Sequence, residues 1–203
     1  MTVTVEQTTK GERTRAAILE EAARLATIDG LEGLSIGRLA QATGMSKSGL
    51  YAHFDSKEDL QLATIDAASA IFDELVIDPA GKEPAGEPRL RAYIARFLDH
   101  VEEGVFPGGC FFVSAMSEYD AHPGPVRDGA MAFSQRWLTL LAGQVAAAQG
   151  AGELDPAADP AQIAFELNAY MVLGYMQFVG TSDSAALGRV RRAVDARLGA
   201  LAG

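Results

Sequence analysis

The sequence predicts an all-α fold of about nine helices, with a three-helix N-terminal domain followed by a larger helical bundle. Apolar residues recur at three-to-four spacing along most of the 203 residues, which is the period of an amphipathic helix. No stretch shows sustained apolar/polar alternation with β-branched enrichment, so the pattern does not indicate strands. Glycine and proline fall between the periodic segments, where they end helices.

Four helices are predicted in the first 77 residues, and the middle two are very short. Their approximate ranges are 12–28 (α1), 35–43 (α2), 46–53 (α3) and 56–77 (α4). Serine precedes each of the three later helices as an N-cap: Ser35, Ser46 and Ser56. Gly44 supplies the turn between α2 and α3. Asp59 stands three residues after the last of these serines, which resembles a capping box.

Five more helices are predicted beyond a Gly/Pro/Glu-rich loop at residues 78–88. Their approximate ranges are 87–103 (α5), 110–119 (α6), 125–149 (α7), 160–179 (α8) and 184–201 (α9). Phe106-Pro107-Gly108-Gly109 breaks the chain before α6, and His122-Pro123 breaks it afterwards. This part of the chain therefore reads as a helical bundle.

Composition and charge narrow the class of protein. Hydrophobic residues make up 48% and charged residues 22% of the chain, which is typical of a folded globular protein. The net charge is −10, and the charged residues are unevenly distributed. Residues 1–61 carry seven basic and nine acidic residues, whereas the rest of the chain carries ten basic and 18 acidic residues. A polar Met1–Lys10 and the lack of an apolar run of ~18 residues predict a cytoplasmic protein with no membrane partner.

The strongest functional signal lies at residues 35–54. Two short helices joined by a tight glycine-containing turn are typical of a helix-turn-helix, whose second helix enters the DNA major groove. Leu50 and Phe54 lie four residues apart and would hold α3 against the other helices. Lys47 and Tyr51 are then left on other faces, so the outer side of α3 is small, polar and positively charged.

Residues 44–60 resemble the helix-turn-helix of TetR/AcrR-family transcriptional regulators. The matched pattern is Gly-Met-Ser, then Leu-Tyr-Ala-His-Phe, then a lysine three residues later and a leucine three residues after that. Residues 15–25 also resemble the first helix of that family. The resemblance implies a helix-turn-helix DNA-binding domain over residues 11–56 and a helical-bundle ligand-binding and dimerisation domain over residues 57–203.

The resemblance also implies which side chains contact an operator. Phosphate contacts fall at the start of α2 and on Tyr51, His53 and Lys57, while the first turn of α3 faces bases or flanking phosphates. Alternatives from the residues alone are that Tyr51 only packs and that His53 only caps α3. The predicted DNA-binding set is Ser35, Arg38, Ser46, Lys47, Ser48, Gly49, Tyr51, His53 and Lys57.

The second domain implied by the resemblance holds a small-molecule pocket. Its sequence is rich in aromatic and methionine side chains, which are typical of such pockets. The alternative is that most of them simply fill the core. Glu118, Gln144 and Asn168 are candidates for the polar contacts. The predicted pocket set is Phe72, Phe97, Cys110, Phe111, Met116, Trp137, Phe165, Asn168, Met171 and Tyr175.

A dimer interface is expected on α8 and α9, which carry apolar residues at helical spacing. Pairing these helices with their twofold copies would give a four-helix interface, and a twofold dimer matches a palindromic operator. The alternative is that the same residues form a bundle inside one subunit. The predicted interface set is Ile163, Leu167, Gly174, Phe178, Val194 and Leu198.

These features predict a homodimeric repressor that binds a palindromic double-stranded DNA operator and is released by a small, largely apolar effector. Two alternatives stay open. Cys110, the single cysteine, stands at the start of α6, where a helix dipole lowers a thiol pKa, so it could sense oxidants or electrophiles. The chain could also be an all-α ligand-binding protein with a vestigial helix-turn-helix.

An enzyme is not predicted. The sequence lacks the nucleotide-binding, hydrolase-elbow and zinc-protease motifs that carry common chemistries. The three histidines lack metal-ligand spacing, so no metal site is expected. No cofactor is expected either.

Overall fold

The computed structural model describes residues 9–202, and this part of the chain is predominantly helical. Within it, the nine helices are α1 (Lys10–Asp29), α2 (Ile36–Thr43), α3 (Lys47–Tyr51), α4 (Lys57–Phe72), α5 (Glu87–Glu102), α6 (Phe111–Tyr119), α7 (Pro125–Gly150), α8 (Pro160–Thr181) and α9 (Ala185–Gly199). A π-helical turn at Asp73–Ile77 and a last α-helical turn at Asp78–Ala80 extend α4. The predicted all-α fold class is confirmed.

Serine side chains begin α2, α3 and α4, as predicted. Ser35, Ser46 and Ser56 have extended backbones, and each hydroxyl accepts a hydrogen bond from the backbone N–H three residues later. Each cap satisfies a donor that a helix N-terminus otherwise leaves without a partner. Between α2 and α3, Gly44 has a left-handed backbone with φ of 68°, which glycine adopts without steric cost. Local signals therefore define the helix-turn-helix.

Among the first three helices, one start and one end differ from the prediction by two residues. α1 begins earlier than expected because Thr9 and Glu12 form a reciprocal capping box. α3 ends at Tyr51 and not at His53. The backbone N–H of His53 donates to the carbonyl of Leu50 (2.9 Å), which closes a tight turn instead of continuing the helix.

The region around α4 contains two further corrections. Asp59 does not complete a capping box at Ser56, because its carboxylate accepts from the backbone N–H of Asp55 (3.0 Å). The predicted loop at residues 78–88 is partly helical at both ends. After the π-helical turn, a new α-helical turn begins at Asp78. Pro79 is tolerated there because backbone N–H groups in the first turn of a helix have no partner within the helix.

α4 is central to the packing because it contacts α1 on one side and α7 on the other. α7 also packs against α5, α6 and α8, and α9 covers α8. α6 touches both α1 and α7, so it connects the N-terminal helices to the bundle. Leu50 and Phe54 are almost fully buried and hold α3 against its neighbours, as their spacing predicts.

Candidate DNA-binding surface and internal cavity

The residues predicted to contact DNA lie on α2 and α3 and at their ends, except for His53 in the turn after α3 and Lys57 at the start of α4. Seven of the nine are exposed, and Gly49 and His53 are half-buried. Tyr51 leaves 61% of its surface exposed although it follows the fully buried Leu50. The structure therefore excludes the alternative that Tyr51 is only a packing residue.

Two of the predicted DNA contacts are paired with carboxylates. Arg38 Nε lies 2.8 Å from Asp29 Oδ2, and Lys57 Nζ lies 2.7 Å from Glu32 Oε1. Hydrogen bonds from Lys57 and then from the Tyr119 hydroxyl lower the pKa of Glu32 to about 2. A phosphate group at this surface would compete with both carboxylates for the same cations.

A polar network joins the C-terminal end of α6 to the turn between α1 and α2. The Glu118 carboxylate accepts hydrogen bonds from the backbone N–H groups of Leu31 (2.7 Å) and Glu32 (2.9 Å). The Tyr119 hydroxyl donates to Glu32 Oε2 (2.7 Å) and accepts from Gln61 Nε2 (2.8 Å). We call these five residues the α6 clasp. It ties the helix that precedes the helix-turn-helix to the body of the molecule.

A partly open cavity of about 130 Å³, called the internal cavity below, lies between α4, α5, α6, α7 and α8, and Ser117 in its lining is exposed. Five aromatic rings form most of its wall, and the lining contains no charged side chain. The lining residues are Phe72, Phe97, Cys110, Phe112, Val113, Met116, Ser117, Phe133, Ser134, Trp137, Asn168 and Val172. Asn168 Oδ1 accepts a hydrogen bond from Trp137 Nε1 (3.2 Å). The cavity thus combines apolar walls with a few polar groups, which is the usual character of a ligand site.

Six of the ten residues predicted for a pocket surround this cavity: Phe72, Phe97, Cys110, Met116, Trp137 and Asn168. Phe165 does not, since it is 61% exposed on the outer side of α8, and its assignment to the pocket is wrong. Phe111, Met171 and Tyr175 are buried but belong to the surrounding core. The Tyr175 hydroxyl lies 3.3 Å from Ser114 Oγ, outside the cavity.

Two aromatic lining residues that the prediction missed follow a simple spacing. Phe112 lies one helical turn before Met116 on α6. Phe133 lies one helical turn before Trp137 on α7. Residues four apart share a face of a helix. The predicted positions Met116 and Trp137 therefore also indicate Phe112 and Phe133, one turn earlier on the same faces.

Cys110 lies in the cavity wall and has none of the exposure expected of a reactive thiol. It is 3% exposed and stands at the N-cap of α6. Burial raises the pKa of its thiol, and this effect outweighs the backbone hydrogen bonds of Val113 and Phe112. The expectation that the helix terminus lowers this pKa is wrong, because desolvation of the thiolate is the larger effect.

Most of the predicted dimer residues lie on the buried faces of their helices, so they are not available to a second chain. Five of the six are buried inside one chain, where they pack α8 and α9 together: Ile163, Leu167, Gly174, Val194 and Leu198. At Gly174, a methyl group would collide with the side chain of Val190. Phe178 is half-buried against the same core. The opposite side of α8 exposes four large apolar residues: Phe165, Leu173, Met176 and Val179.

A second and larger space is an open groove of about 740 Å³ between α1 and α4. Leu19 and Ile71 contribute apolar surface to it, while Arg24, Asp66 and Glu74 contribute charges of both signs. The internal cavity is the better candidate for a ligand site. It is lined by uncharged groups, and one of its walls, α6, continues into the clasp.

Within residues 9–202, no group of three His, Cys, Asp or Glu side chains has an arrangement that could hold a metal ion. Among the helices described above, none has the length and apolar character needed to cross a bilayer.

The sequence matches two family models. "Bacterial regulatory proteins, tetR family" matches residues 18–64, and "Tetracyclin repressor-like, C-terminal domain" matches residues 86–194, more than half of the chain. The chain is 31% identical over 118 residues to the HTH-type transcriptional regulator TcmR of Streptomyces glaucescens, covering 57% of this chain and 51% of TcmR. It is 39% identical over 67 residues to the HTH-type transcriptional repressor AcnR of Corynebacterium glutamicum, covering 33% and 36%. The chain thus spans about half the length, or less, of these curated relatives.

Solved structures share the fold over almost the whole chain. A TetR transcriptional regulator from Chloroflexus aurantiacus has a TM-score of 0.88 at 25% identity, covering 95% of this chain and 98% of that one. AibR, in complex with isovaleryl coenzyme A and operator DNA, has a TM-score of 0.72 at 27% identity, covering 89% and 96%. Together with the two family models, these matches show that the chain belongs to the TetR family of bacterial transcriptional regulators.

Proposed function

We propose that this chain is a repressor that binds a palindromic operator as a homodimer and releases it when a small effector enters the internal cavity. The observation that carries the proposal is the position of α6, which lines the cavity and also forms the clasp. Two similar proteins support it: AcnR is named a repressor, and AibR was crystallised with both a small molecule and operator DNA. On this proposal, residues 11–56 form the DNA-binding domain and residues 57–203 the ligand-binding and dimerisation domain.

In this function, α3 is the helix that enters the major groove. Lys47 and Tyr51 are exposed on it, so they would supply the main contacts. Arg38 and Lys57 would exchange their carboxylate partners for phosphate oxygens, which set the register of the protein on the duplex. The exposed serine at the N-cap of α3 leaves room for a phosphate near the helix terminus.

The test is operator selection from genomic DNA, followed by binding measured as fluorescence anisotropy. We expect Lys47→Ala/Tyr51→Ala to weaken operator binding by about 100-fold, because each lost contact costs about 1–3 kcal/mol. Lys82→Ala, an exposed lysine beyond α4, is the control and should bind normally. Full affinity in the double variant would reject α3 as the recognition helix. Failure to select any DNA would favour the ligand-binding protein with a vestigial helix-turn-helix.

The exposed apolar face of α8 supports a homodimer. Large apolar side chains on one exposed helix face are typical of a protein interface, and we assign this face, not the buried seam with α9, to the twofold contact. Leu173→Asp should give folded monomers with weak operator binding, because an unpaired charge in an apolar interface costs several kcal/mol. Gly174→Arg should instead unfold the chain, since Gly174 is buried against Val190. Light scattering and thermal unfolding distinguish the two outcomes.

Release requires that the effector bind more tightly to a conformation that does not fit the operator. A ligand that enlarges the cavity would push on Phe112 and Met116 of α6 and thereby displace the clasp at the other end of this helix. α4 offers a second connection, because it begins at Lys57 beside the DNA-binding face and ends at Phe72 in the cavity wall. Either movement would change the separation of two recognition helices, whose half-sites lie about 34–36 Å apart or a multiple of that.

A further inference from the structure

We propose that the effector is an uncharged compound with a single aromatic ring and one small polar substituent, held by Asn168. This inference rests on the proposed function, because it assigns the chemistry of the ligand to the cavity that the function uses. It specifies four properties of the ligand that the proposed function leaves open: its flatness, its charge, the position of its polar group and its size.

The walls favour a flat ring. Phe72 stands at the centre of the aromatic cluster and meets the rings of Phe133 and Trp137 edge to face, with centroids 5.1 and 5.3 Å away. Phe112 and Phe133 lie face to face in the cavity wall, and Arg136 lies over the Phe133 ring, so a ligand meets mainly the edges of this pair. Aromatic pairs gain energy in stacked and edge-to-face arrangements beyond the burial of their area. A planar ring can use these surfaces, whereas a saturated ring of the same size cannot.

The lining excludes charged effectors. No Asp, Glu, Lys or Arg side chain borders the cavity, so an ionised ligand would lose its hydration without gaining a partner. The ring of His100 lies behind the wall and packs edge-on to Phe72 at 5.8 Å. Burial lowers the pKa of His100 to about 4, so it is neutral at physiological pH and offers no positive charge to a carboxylate.

One polar group is positioned for a substituent on the ring. Asn168 uses its carbonyl oxygen to accept from Trp137 Nε1. This interaction orients the amide, and the NH₂ group of Asn168 has two donors that no side chain or backbone acceptor in residues 9–202 takes up. Ser134 lines the same cavity from α7. Asn168 is half-buried, and a ligand with an acceptor oxygen, such as a phenolic hydroxyl or an amide carbonyl, gains a hydrogen bond from this group.

The volume limits the ligand to about one ring. The cavity measures about 130 Å³, and an engineered apolar cavity of about 150 Å³ is known to bind benzene. A fused bicyclic compound would have to separate the helices that meet at Phe112 and Phe133. Single-ring compounds are therefore the ligands that the structure accepts with the least rearrangement.

Trp137 provides a direct readout, because it is the single tryptophan of the chain and lines the cavity. Tryptophan fluorescence and calorimetry can then measure binding without DNA. Four probes isolate the proposed properties: phenol against cyclohexanol for planarity, and benzamide against benzoate for charge. We expect saturable binding of phenol and benzamide, with cyclohexanol about tenfold and benzoate about 100-fold weaker. Equal affinity within either pair would overturn the proposal.

Asn168→Leu tests the polar contact with little change in volume. The variant should bind phenol about fivefold to tenfold more weakly, as expected for one lost hydrogen bond, and should bind toluene as tightly as the unmodified chain. Equal loss for phenol and toluene would mean that the substitution only damages the cavity, which overturns the role of Asn168. Leu75→Ala, which changes the open groove between α1 and α4, is the control. If it abolishes phenol binding, the ligand occupies that groove and the proposal is wrong.

These titrations are separable from the proposed function. If no probe binds while the operator measurements succeed, the assignment of the ligand class fails and the repressor proposal stands. If the probes bind as expected and no operator can be selected, the cavity chemistry stands and the repressor proposal fails. Release of operator DNA by phenol or benzamide, and not by benzoate, would support both.

Discussion

The two ends of α6 make different kinds of contact. Its residues 112–117 border the cavity through Phe112, Val113, Met116 and Ser117, where packing is mostly apolar and has no fixed direction. Its C-terminal end carries Glu118 and Tyr119, whose hydrogen bonds to the α1–α2 turn are 2.7–2.9 Å long. The first kind of contact can adapt to a ligand. The second kind is lost when the groups move by a fraction of an ångström, so it can report that movement.

This difference suggests how a small ligand in the cavity affects the DNA-binding helices. α6 spans nine residues, about 13 Å at the usual rise of a helix. A helix this short moves as one rigid piece, so a shift at the aromatic end reaches the polar end without loss. Four substitutions test this difference between apolar and polar contacts, beginning with the one expected to have the largest effect.

Phe72→Ala should have the largest effect, because it removes the ring at the centre of the aromatic cluster. Phe72 is 2% exposed and packs edge to face on several rings. Truncation of a buried phenylalanine costs about 3–5 kcal/mol, measured here by urea unfolding at a fixed protein concentration. Tyr51→Ala, on the exposed face of α3, is the control and should change the free energy of unfolding by less than about 0.5 kcal/mol. A loss under about 1 kcal/mol for Phe72→Ala would show that the cluster is not tightly packed.

Glu118→Ala should be the most damaging change at the polar end. It leaves the backbone N–H groups of Leu31 and Glu32 without their charged acceptor, which costs about 1.5–3 kcal/mol. Hydrogen exchange at the Leu31 amide should accelerate with it. Glu118→Gln keeps a neutral acceptor and should lose less. Glu103→Ala, an exposed carboxylate at the end of α5, is the control, and an equal loss there would show that the effect is not specific to the clasp.

Tyr119→Phe should have a smaller effect, about 1 kcal/mol, because it removes one hydroxyl and leaves the ring. The pKa of Glu32 should rise, since the Tyr119 hydroxyl is one of the groups that lower it. An NMR titration of the Glu32 carboxyl measures this shift directly. Tyr170→Phe, a half-buried tyrosine on α8, is the matched control. An unchanged Glu32 pKa would mean that the hydroxyl does not hold the carboxylate in solution.

The aromatic end of α6 was largely predictable from the sequence. Helix caps are local signals, and the apolar character of the body follows from residue types. The direction of each side chain does not follow from these, because several faces of a buried helix are apolar. Phe165 was therefore placed in the pocket although it is exposed, while Phe133 was missed. The same ambiguity assigned to the dimer a face of α8 that is buried inside one chain.

The polar end was not predictable. Glu118 stands in an apolar segment, and the sequence suggests Glu118 and Gln144 as polar contacts for a ligand. Glu118 instead accepts from Leu31, 87 residues away in the chain, and Gln144 accepts from the backbone N–H of Gly86 (3.2 Å). Partners at such separations are set by how the helices pack. A single sequence carries no local pattern for them.

Glu32→Gln should have the smallest effect on stability and should depend on pH. In the folded chain the pKa of Glu32 is about 2, against an ordinary value of 4.5. A lowered pKa stabilises the folded state above pH 4.5, and this contribution is lost as the pH falls through about 2. The side chain is 66% exposed, so solvent screening limits the contribution to less than about 1 kcal/mol. Unfolding experiments should therefore show a small deficit for Glu32→Gln at neutral pH that disappears near pH 2. A deficit that is the same at both pH values would show that the charge of Glu32 contributes nothing, and that the polar end of α6 is held by neutral hydrogen bonds alone.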